Sequence, residues 1–300
     1  MSDWIIRLLE TPDEMEQVEQ LQHLVWPGSH LDVTPSHLLL TMAHNGGLVL
    51  GAYAGDKLVG LLFGFPGLYD VPDGPRPKHC SHMMGVHPDY RNTGIGFALK
   101  RAQWQMVRRQ GLDRITWTYD PLLSANAHLN IARLGAVCNT YLRNTYGEMR
   151  DNLNQGLPSD RFQVDWWINT VRVEKRLSHR PRRELGLDHF DRANIPLLYD
   201  VSTLTPPGSR VAFLRPPEDF AVPGETLLLA EIPSDFLALK NADFELARTW
   251  RIFMREIFET CFNAGYLVTD FVRDTSGERP RSLYVLTHGE SMLGDLTVAK

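Results

Sequence analysis

The sequence predicts an α/β protein with a mixed central sheet, followed by a smaller α+β domain. Three observations carry this. Apolar segments of strand and helix period alternate over roughly the first 175 residues in the order β-α-α-β-β-β-α-β-α-β-β. One strand runs through a loop with two glycines two apart straight into a strongly amphipathic helix. A proline- and arginine-rich break then separates this stretch from a strand, a long helix and two closing strands.

Each element has a local reason. Trp4 to Leu9 reads as a short strand. Pro12 to Val25 places Met15, Val18, Leu21, Leu24 and Val25 at helical spacing behind Thr11, a residue suited to the N-cap. A second helix starts near Thr34-Pro35, where proline fits the first turn. Gly47 to Ala54 and Lys57 to Phe65 form two strands about the tight Ala54-Gly55-Asp56 turn. Lys78 to Val86 forms a third and leads into the glycine loop. In the next helix Ile95, Leu99, Ala102 and Met106 form the apolar stripe, Arg101, Gln105 and Arg108 face away, and Gly111 ends it. Arg114 to Tyr119 alternates as a strand, and Ser124 to Leu134 reads as a short helix closed by Gly135. Val137 to Tyr146 and Val164 to Val173 read as further strands.

The run Ser178 to Arg183 (S-H-R-P-R-R) and Pro206, Pro207, Pro216, Pro217 and Pro223 mark a linker or irregular segment over 178–222. Residues 1–177 thus form one domain and 223–300 another. In the second, Glu225 to Ile232 is a strand. Asp243 to Asn263 is a helix burying Ala247, Trp250, Met254, Ile257 and Cys261, and Tyr266 to Arg273 and Arg281 to Thr287 close the fold. This order echoes the middle of the first domain and suggests a partial repeat without the glycine loop.

Composition limits the function classes. Lys and Arg number 31 against 36 Asp and Glu, a formal charge of −5, which argues against a broad basic footprint for nucleic acid or anionic lipid. The three cysteines, Cys80, Cys138 and Cys261, lie far apart without a C-x-x-C pair, so neither a disulfide framework nor a thiolate metal site is expected. No leader pattern opens the chain and no apolar run approaches the ~18 residues of a membrane span, so a cytoplasmic protein is expected.

The chemistry concentrates in Val86-His87-Pro88-Asp89-Tyr90-Arg91-Asn92-Thr93-Gly94-Ile95-Gly96. Backbone N–H groups at a helix start, without a Cβ in the way, make a site for phosphate, and Arg91 adds a fixed positive fork. A dinucleotide fingerprint would need glycine at Leu99, and a nucleotide P-loop would need Gly-Lys-Ser/Thr. Neither requirement is met, so neither a dinucleotide fold nor a nucleotide P-loop is expected here.

The element order, with R-x-x-G-x-G between the fourth strand and third helix, resembles the GNAT acyltransferase superfamily over about residues 4–176. The resemblance implies the GNAT fold, whose mixed sheet splays between the fourth and fifth strands, and acetyl-CoA or another acyl-CoA as cofactor. It implies that Arg91, Asn92, Thr93, Gly94, Ile95 and Gly96 hold the pyrophosphate, assisted by Lys100 or Arg101. Met84 and Val86 would offer backbone partners to the pantetheine arm, and Asn126 would bond the cofactor. Many GNAT enzymes use a tyrosine four residues before the closing glycine as general acid; this chain has Ile131 there. Tyr119, Tyr141 and Tyr146 are the replacements by chemistry, and His82, His87 and Asp120 the candidates for the base.

Residues 141–167 are rich in polar and aromatic side chains, including Arg143, Asn144, Tyr146, Arg150, Asn154, Asp160, Arg161, Trp166 and Trp167. The pattern D-P-L…N-A-H-L-N…L-G-A…N-x-Y-G…S-D-R-F resembles a subgroup of large GNAT proteins with a C-terminal extension, some using succinyl-CoA on amino acids. That likeness implies an amino-acid acceptor whose carboxylate Arg143 or Arg161 would grip, with no metal. The expected reaction moves an acetyl or other short acyl group, such as succinyl, to a primary amine on a small molecule. A non-catalytic acyl-CoA sensor and a protein or RNA amine acetyltransferase are the alternatives, and a homodimer is left open. The Trp250 helix is expected to help close the acceptor cleft.

Overall fold

The structure is a computed structural model, and it describes residues 4–28, 33–149, 155–178, 185–205 and 213–289. Arg150, Asn154, residues 179–183 of the basic run, Pro206 and Pro207 lie outside the described residues. The chain forms two compact units: Met1–Trp117 with Arg150–Gln155 and Trp167–Asn169, and Thr118–Met149 with Gly156–Trp166 and Thr170–Lys300.

In the first unit, β1 (Ile5–Leu8), β2 (Leu48–Ala54), β3 (Lys57–Tyr69), β4 (Arg76–Val86) and β5 (Arg114–Tyr119) lie side by side in that order. The β1–β2, β2–β3 and β3–β4 pairs are antiparallel and β4–β5 is parallel. Both faces are covered. From α1 (Pro12–Val25) and α2 (Ser36–His44), Met15, Val18, Leu21, Val25 and Leu39 pack with Val49, Leu61 and Phe63. On the other face Ile95 and Leu99 of α3 (Ile95–Arg109) meet Leu50, Ala52, Val59 and Leu62. The alternation of Leu61, Leu62 and Phe63 between these cores is the period of two expected of a doubly covered strand. Helix α1 begins at the predicted Thr11 cap, which forms a reciprocal capping box with Glu14.

Two features of β4 prepare the site. Its register against β3 passes from Met83↔Phe63 to Ser81↔Gly64, so His82 is the extra residue of a β-bulge. Its register with β5 covers only His79↔Ile115 and Cys80↔Thr116. From Ser81 to Val86 that edge of β4 has no further register partner on β5 among the described residues, which is the splay the sequence predicts.

The second unit takes up the end of β5. It continues through α4 (Ser124–Ala127), a π turn (His128–Arg133), β6 (Val137–Leu142), β7 (Arg161–Trp167), α5 (Val171–Leu177) and α6 (Leu187–Arg192). The short hairpin β8 (Ser202–Leu204) with β9 (Phe213–Arg215) follows, then β10 (Leu227–Ile232), α7 (Phe236–Ala242), α8 (Phe244–Asn263), β11 (Leu267–Asp274) and β12 (Arg281–Thr287). Its strands run in the order β7-β6-β11-β12-β10. In the order β10-β12-β11 the last of three successive strands lies between the other two.

Several elements differ from the sequence reading. The stretch 164–173 is not one strand: β7 stops at Trp167, and Thr170 caps α5 by accepting a hydrogen bond from the Val173 N–H at 3.4 Å. The strand from Val137 ends at Leu142, ahead of a turn in which Asn144 has φ +43° and Gly147 φ +63°. Within 178–222 the described residues include α6 and β8–β9. Among the described residues no helix is long and apolar enough to cross a membrane.

Candidate active site

The glycine loop grows out of the open end of β4. His87 caps a 3-10 turn, Pro88–Tyr90, its Nδ1 accepting from the Asp89 N–H at 3.3 Å while its ring meets Tyr90 edge-on. That assigns His87 a local structural task. Thr93 donates to the Tyr90 carbonyl at 2.7 Å, closing the loop on itself. Asn92 (φ +64°) and Gly94 (φ +90°) take left-handed conformations that turn the chain into α3. Gly94 is the N-cap and supplies no side chain, so the first-turn N–H groups of α3 lack both an intrahelical acceptor and a side-chain cap. A Cβ on Gly94 would meet no protein atom within 4 Å, so the loop leaves open space there. Arg91 is exposed and only weakly held, its Nε 3.5 Å from the Val86 carbonyl. Exposed helix-start amides beside a loosely tethered guanidinium, outside the carboxyl end of a parallel strand, fit a pyrophosphate.

Met84 and Val86, paired with β3 on one side, lie where the β5-facing edge of β4 has no register partner, and are half-buried beside the Ile95–Leu99 core. His82, carried outward by the bulge, is exposed, and its ring packs against Phe63 and Phe65 at 5.9 Å between centroids. Partial desolvation by these rings lowers its pKa below the ordinary histidine value, keeping the imidazole neutral and able to accept a proton.

Lys100 does not reach the loop. It is buried, its Nζ donating to Ser81 Oγ at 2.8 Å and Gln103 Oε1 at 3.3 Å and standing 3.7 Å over the Trp117 ring. Gln103 Nε2 lies 3.1 Å from His79 Nε2, whose imidazole is pushed down to about 3 by burial and then by the Lys100 charge. Only glycine fits opposite: a Cβ on Gly64 would come 2.3 Å from His79 Nε2. Sequence reasoning missed this cluster. Its signal was polar residues on inward faces, His79 and Ser81 two apart on β4, and Lys100 and Gln103 beside the Leu99 stripe of α3.

The remaining candidates belong to the second unit. Asn126 is exposed on α4, and Ile131 is fully buried. The three tyrosines differ sharply. Tyr119 is buried, its hydroxyl 3.2 Å from that of Tyr284, and burial raises its pKa well above the ordinary value. Tyr141 donates to Asp160 Oδ2 at 2.9 Å, and burial together with the Asp160 charge likewise raises it. Tyr146 alone presents an exposed hydroxyl, 2.6 Å from Thr118 Oγ1.

The charged candidates are engaged within the protein. Asp120 accepts both guanidinium nitrogens of Arg251, with Arg251 Nη1 at 2.8 Å. Burial raises its pKa, but the Arg251 and Arg161 charges outweigh that and leave it lowered. Arg161 is buried, 3.9 Å from Asp120, with its guanidinium over the Tyr146 ring. Arg143 is exposed and forks onto Glu259. Arg255 holds Asp160 through two bonds of 2.9 and 3.0 Å, and Asp160 also accepts from the Asn144 N–H at 2.9 Å. Arg251, Arg255 and Glu259, each four residues apart on α8, thus fix Asp120, Asp160 and Arg143. Trp250 on the same helix is fully buried, donating to the Leu214 carbonyl at 2.7 Å.

A parallel β4–β5 pair that splays, a bulged β4 and an uncapped glycine turn into α3 together leave an open strand edge that ends at a bare helix start. Residues 14–134 match the acetyltransferase (GNAT) family model and form a GNAT acetyltransferase domain, whose cofactor is acetyl-CoA. No curated protein sequence matches the chain significantly. Among solved structures, the ribosomal-protein-S18-alanine N-acetyltransferase of Escherichia coli is similar at 17% identity and a TM-score of 0.41, covering 55% of this chain and 94% of that one. NAA60 of Arabidopsis thaliana, solved with acetyl-CoA, is similar at 15% identity and a TM-score of 0.44, covering 55% and 99%. The aminoglycoside acetyltransferase meta-AAC0020 from an uncultured soil metagenomic sample, solved with sisomicin, is similar at 20% identity and a TM-score of 0.35, covering 39% and 78%. These likenesses fix neither acceptor nor mechanism.

Proposed function

We propose that this protein transfers a short acyl group, acetyl in the first place, from acyl-CoA to the primary amine of a small molecule such as an amino acid. The observation that carries the reading is the exposed, uncapped turn Arg91–Gly96 at the end of a β4 edge left without partners from Ser81 onward. In this reading the backbone amides of residues 92–96 and the Arg91 guanidinium bind pyrophosphate, and the Met84 and Val86 backbones align the pantetheine arm. When bound, acyl-CoA supplies an activated thioester and a thiol leaving group.

His82 takes the proton from the acceptor ammonium, since its imidazole is neutral near pH 7 and accessible. An α-amino group, with a pKa near ~8, asks little of such a base, whereas a lysine-type amine asks more. Of the three tyrosines Tyr146 is the exposed one, while the hydroxyls of Tyr119 and Tyr141 are committed inside the second unit. Arg161 and Arg143 have acidic partners already, so a carboxylate-bearing acceptor would have to compete with Asp120 or Glu259.

The rival reading, a binder without turnover, draws on the buried Ile131 at the position of the family's tyrosine. Thiol release from acetyl-CoA across a panel of amino acids, polyamines and lysine peptides separates the two. Turnover with free amino acids supports the proposal. Turnover with peptides alone moves the acceptor to proteins, and tight acetyl-CoA binding without turnover on any amine contradicts it.

A further inference from the structure

The Lys100 cluster occupies a defined place in the β4–β5 splay. Cys80↔Thr116 is the last register pair, so Ser81 and Trp117 are the first residues beyond it on the two strands. Lys100 reaches up from α3 and touches both, by a hydrogen bond to Ser81 and by contact with the Trp117 ring face. It therefore sits across the closed end of the wedge. The glycine loop stands at the open end, after Val86. Five residue steps separate Ser81 from Val86, about 17 Å at strand rise. A pantetheine arm anchored by its phosphates at the loop runs along that edge toward the closed end, and its acyl terminus is the part that arrives there.

The floor it meets is filled. An ammonium has three donors and no acceptor, and here they serve Ser81 Oγ, Gln103 Oε1 and the Trp117 π face. Gln103 is in turn tied to His79, which fits only because residue 64 is glycine. The ammonium's own donors are thus taken, and a long side chain takes the space a longer acyl chain would need.

We infer that Lys100, braced by Trp117, is a specificity-determining residue that closes the acyl end of the donor site and limits the donor to short acyl groups. The inference rests on the reading that acyl-CoA lies along the open β4 edge.

Equilibrium titration of the intact protein with acetyl-, butyryl- and hexanoyl-CoA, without amine, tests it by binding alone. Wild type is expected to bind acetyl-CoA better than hexanoyl-CoA. Lys100→Ala should shift the ratio of the two affinities toward hexanoyl-CoA by about tenfold or more, at roughly fourfold for each methylene that gains a buried place. Lys100→Met keeps the volume and should leave the ratio as in wild type. Trp117→Leu opens the same floor from β5, and carries the test should Lys100→Ala not fold. The inference is overturned if wild type binds both donors equally, or if folded opening variants keep the wild-type ratio. It is likewise overturned if Lys100→Met shifts the ratio as Lys100→Ala does. Failure of every acyl-CoA to bind wild type would bring down the donor reading itself, a result distinct from an unchanged ratio.

Discussion

Each unit buries positive charge, and does so by opposite means. In the second unit Arg251 and Arg255 meet Asp120 and Asp160 through paired hydrogen bonds, with Arg161 nearby. In the first, Lys100 meets a serine, a glutamine and an indole face. Guanidinium forks matched to carboxylates hold full charge in the interior and fix geometry. An ammonium among neutral groups is only partly compensated, and burial lowers Lys100 to about 7. The paired cations pin the long α8 helix to the loops after β5 and β6. The unpaired one borders the splay where the donor is proposed to lie.

The largest effect should come from breaking the paired cluster. Arg251→Ala leaves Asp120 charged and buried, and a loss of about 3–5 kcal/mol is expected in denaturant unfolding. Lys100→Met removes no partner's counter-charge and should cost about 1–2 kcal/mol. Equal costs would erase the distinction between the clusters. Next in size, His82→Ala should lower kcat/KM for amine acetylation by about a hundredfold while sparing stability. It should also remove a limb of the pH–rate profile lying below the ordinary histidine pKa near 6.5. A retained limb would move the base elsewhere.

A further effect separates the clusters by pH. Lys100 has a folded pKa of about 7 against an ordinary 10.5, so the unfolded chain takes up its proton first as pH falls between these values. Wild type should therefore gain stability relative to Lys100→Met as pH rises from 7 to 10. Asp120 acts at the other end: its lowered pKa contributes stability above the ordinary carboxyl value, and that contribution is lost as pH falls through the folded pKa. The smallest cost is at the surface. Glu14 is disfavoured by burial but stabilised by Arg7 and the Glu10 and Thr11 amides, which bring it to about 2. Glu14→Ala should cost about 1 kcal/mol at neutral pH, and the difference from wild type should fade as pH drops from about 4.5 toward 2.

Much of the fold was legible because its signals are local. Pro12–Val25 and Arg114–Tyr119 end where the sequence says they should, since a capping box sets one and alternation sets the other. The glycine loop was legible for the same reason, as left-handed turns need their glycines. What escaped depends on distant partners. Lys100 reads as a phosphate partner of the loop until Ser81, Gln103 and Trp117 are seen to surround it. The partners of Arg251 and Glu259 likewise stand more than a hundred residues away in sequence. The stretch 164–173 misled because its apolar residues continue past Trp167, while Thr170 caps a new helix there.

The central claim is that the uncapped turn at Gly94 binds the phosphates of acyl-CoA. Calorimetric titration of acetyl-CoA into wild type and Gly94→Val tests it most directly. A valine Cβ meets no protein atom there, so the folded variant should carry only the left-handed strain, about 1–2 kcal/mol, and its thermal transition should stay cooperative. Its affinity for acetyl-CoA should nonetheless fall by more than tenfold. Equal affinity in wild type and a folded Gly94→Val would contradict the account.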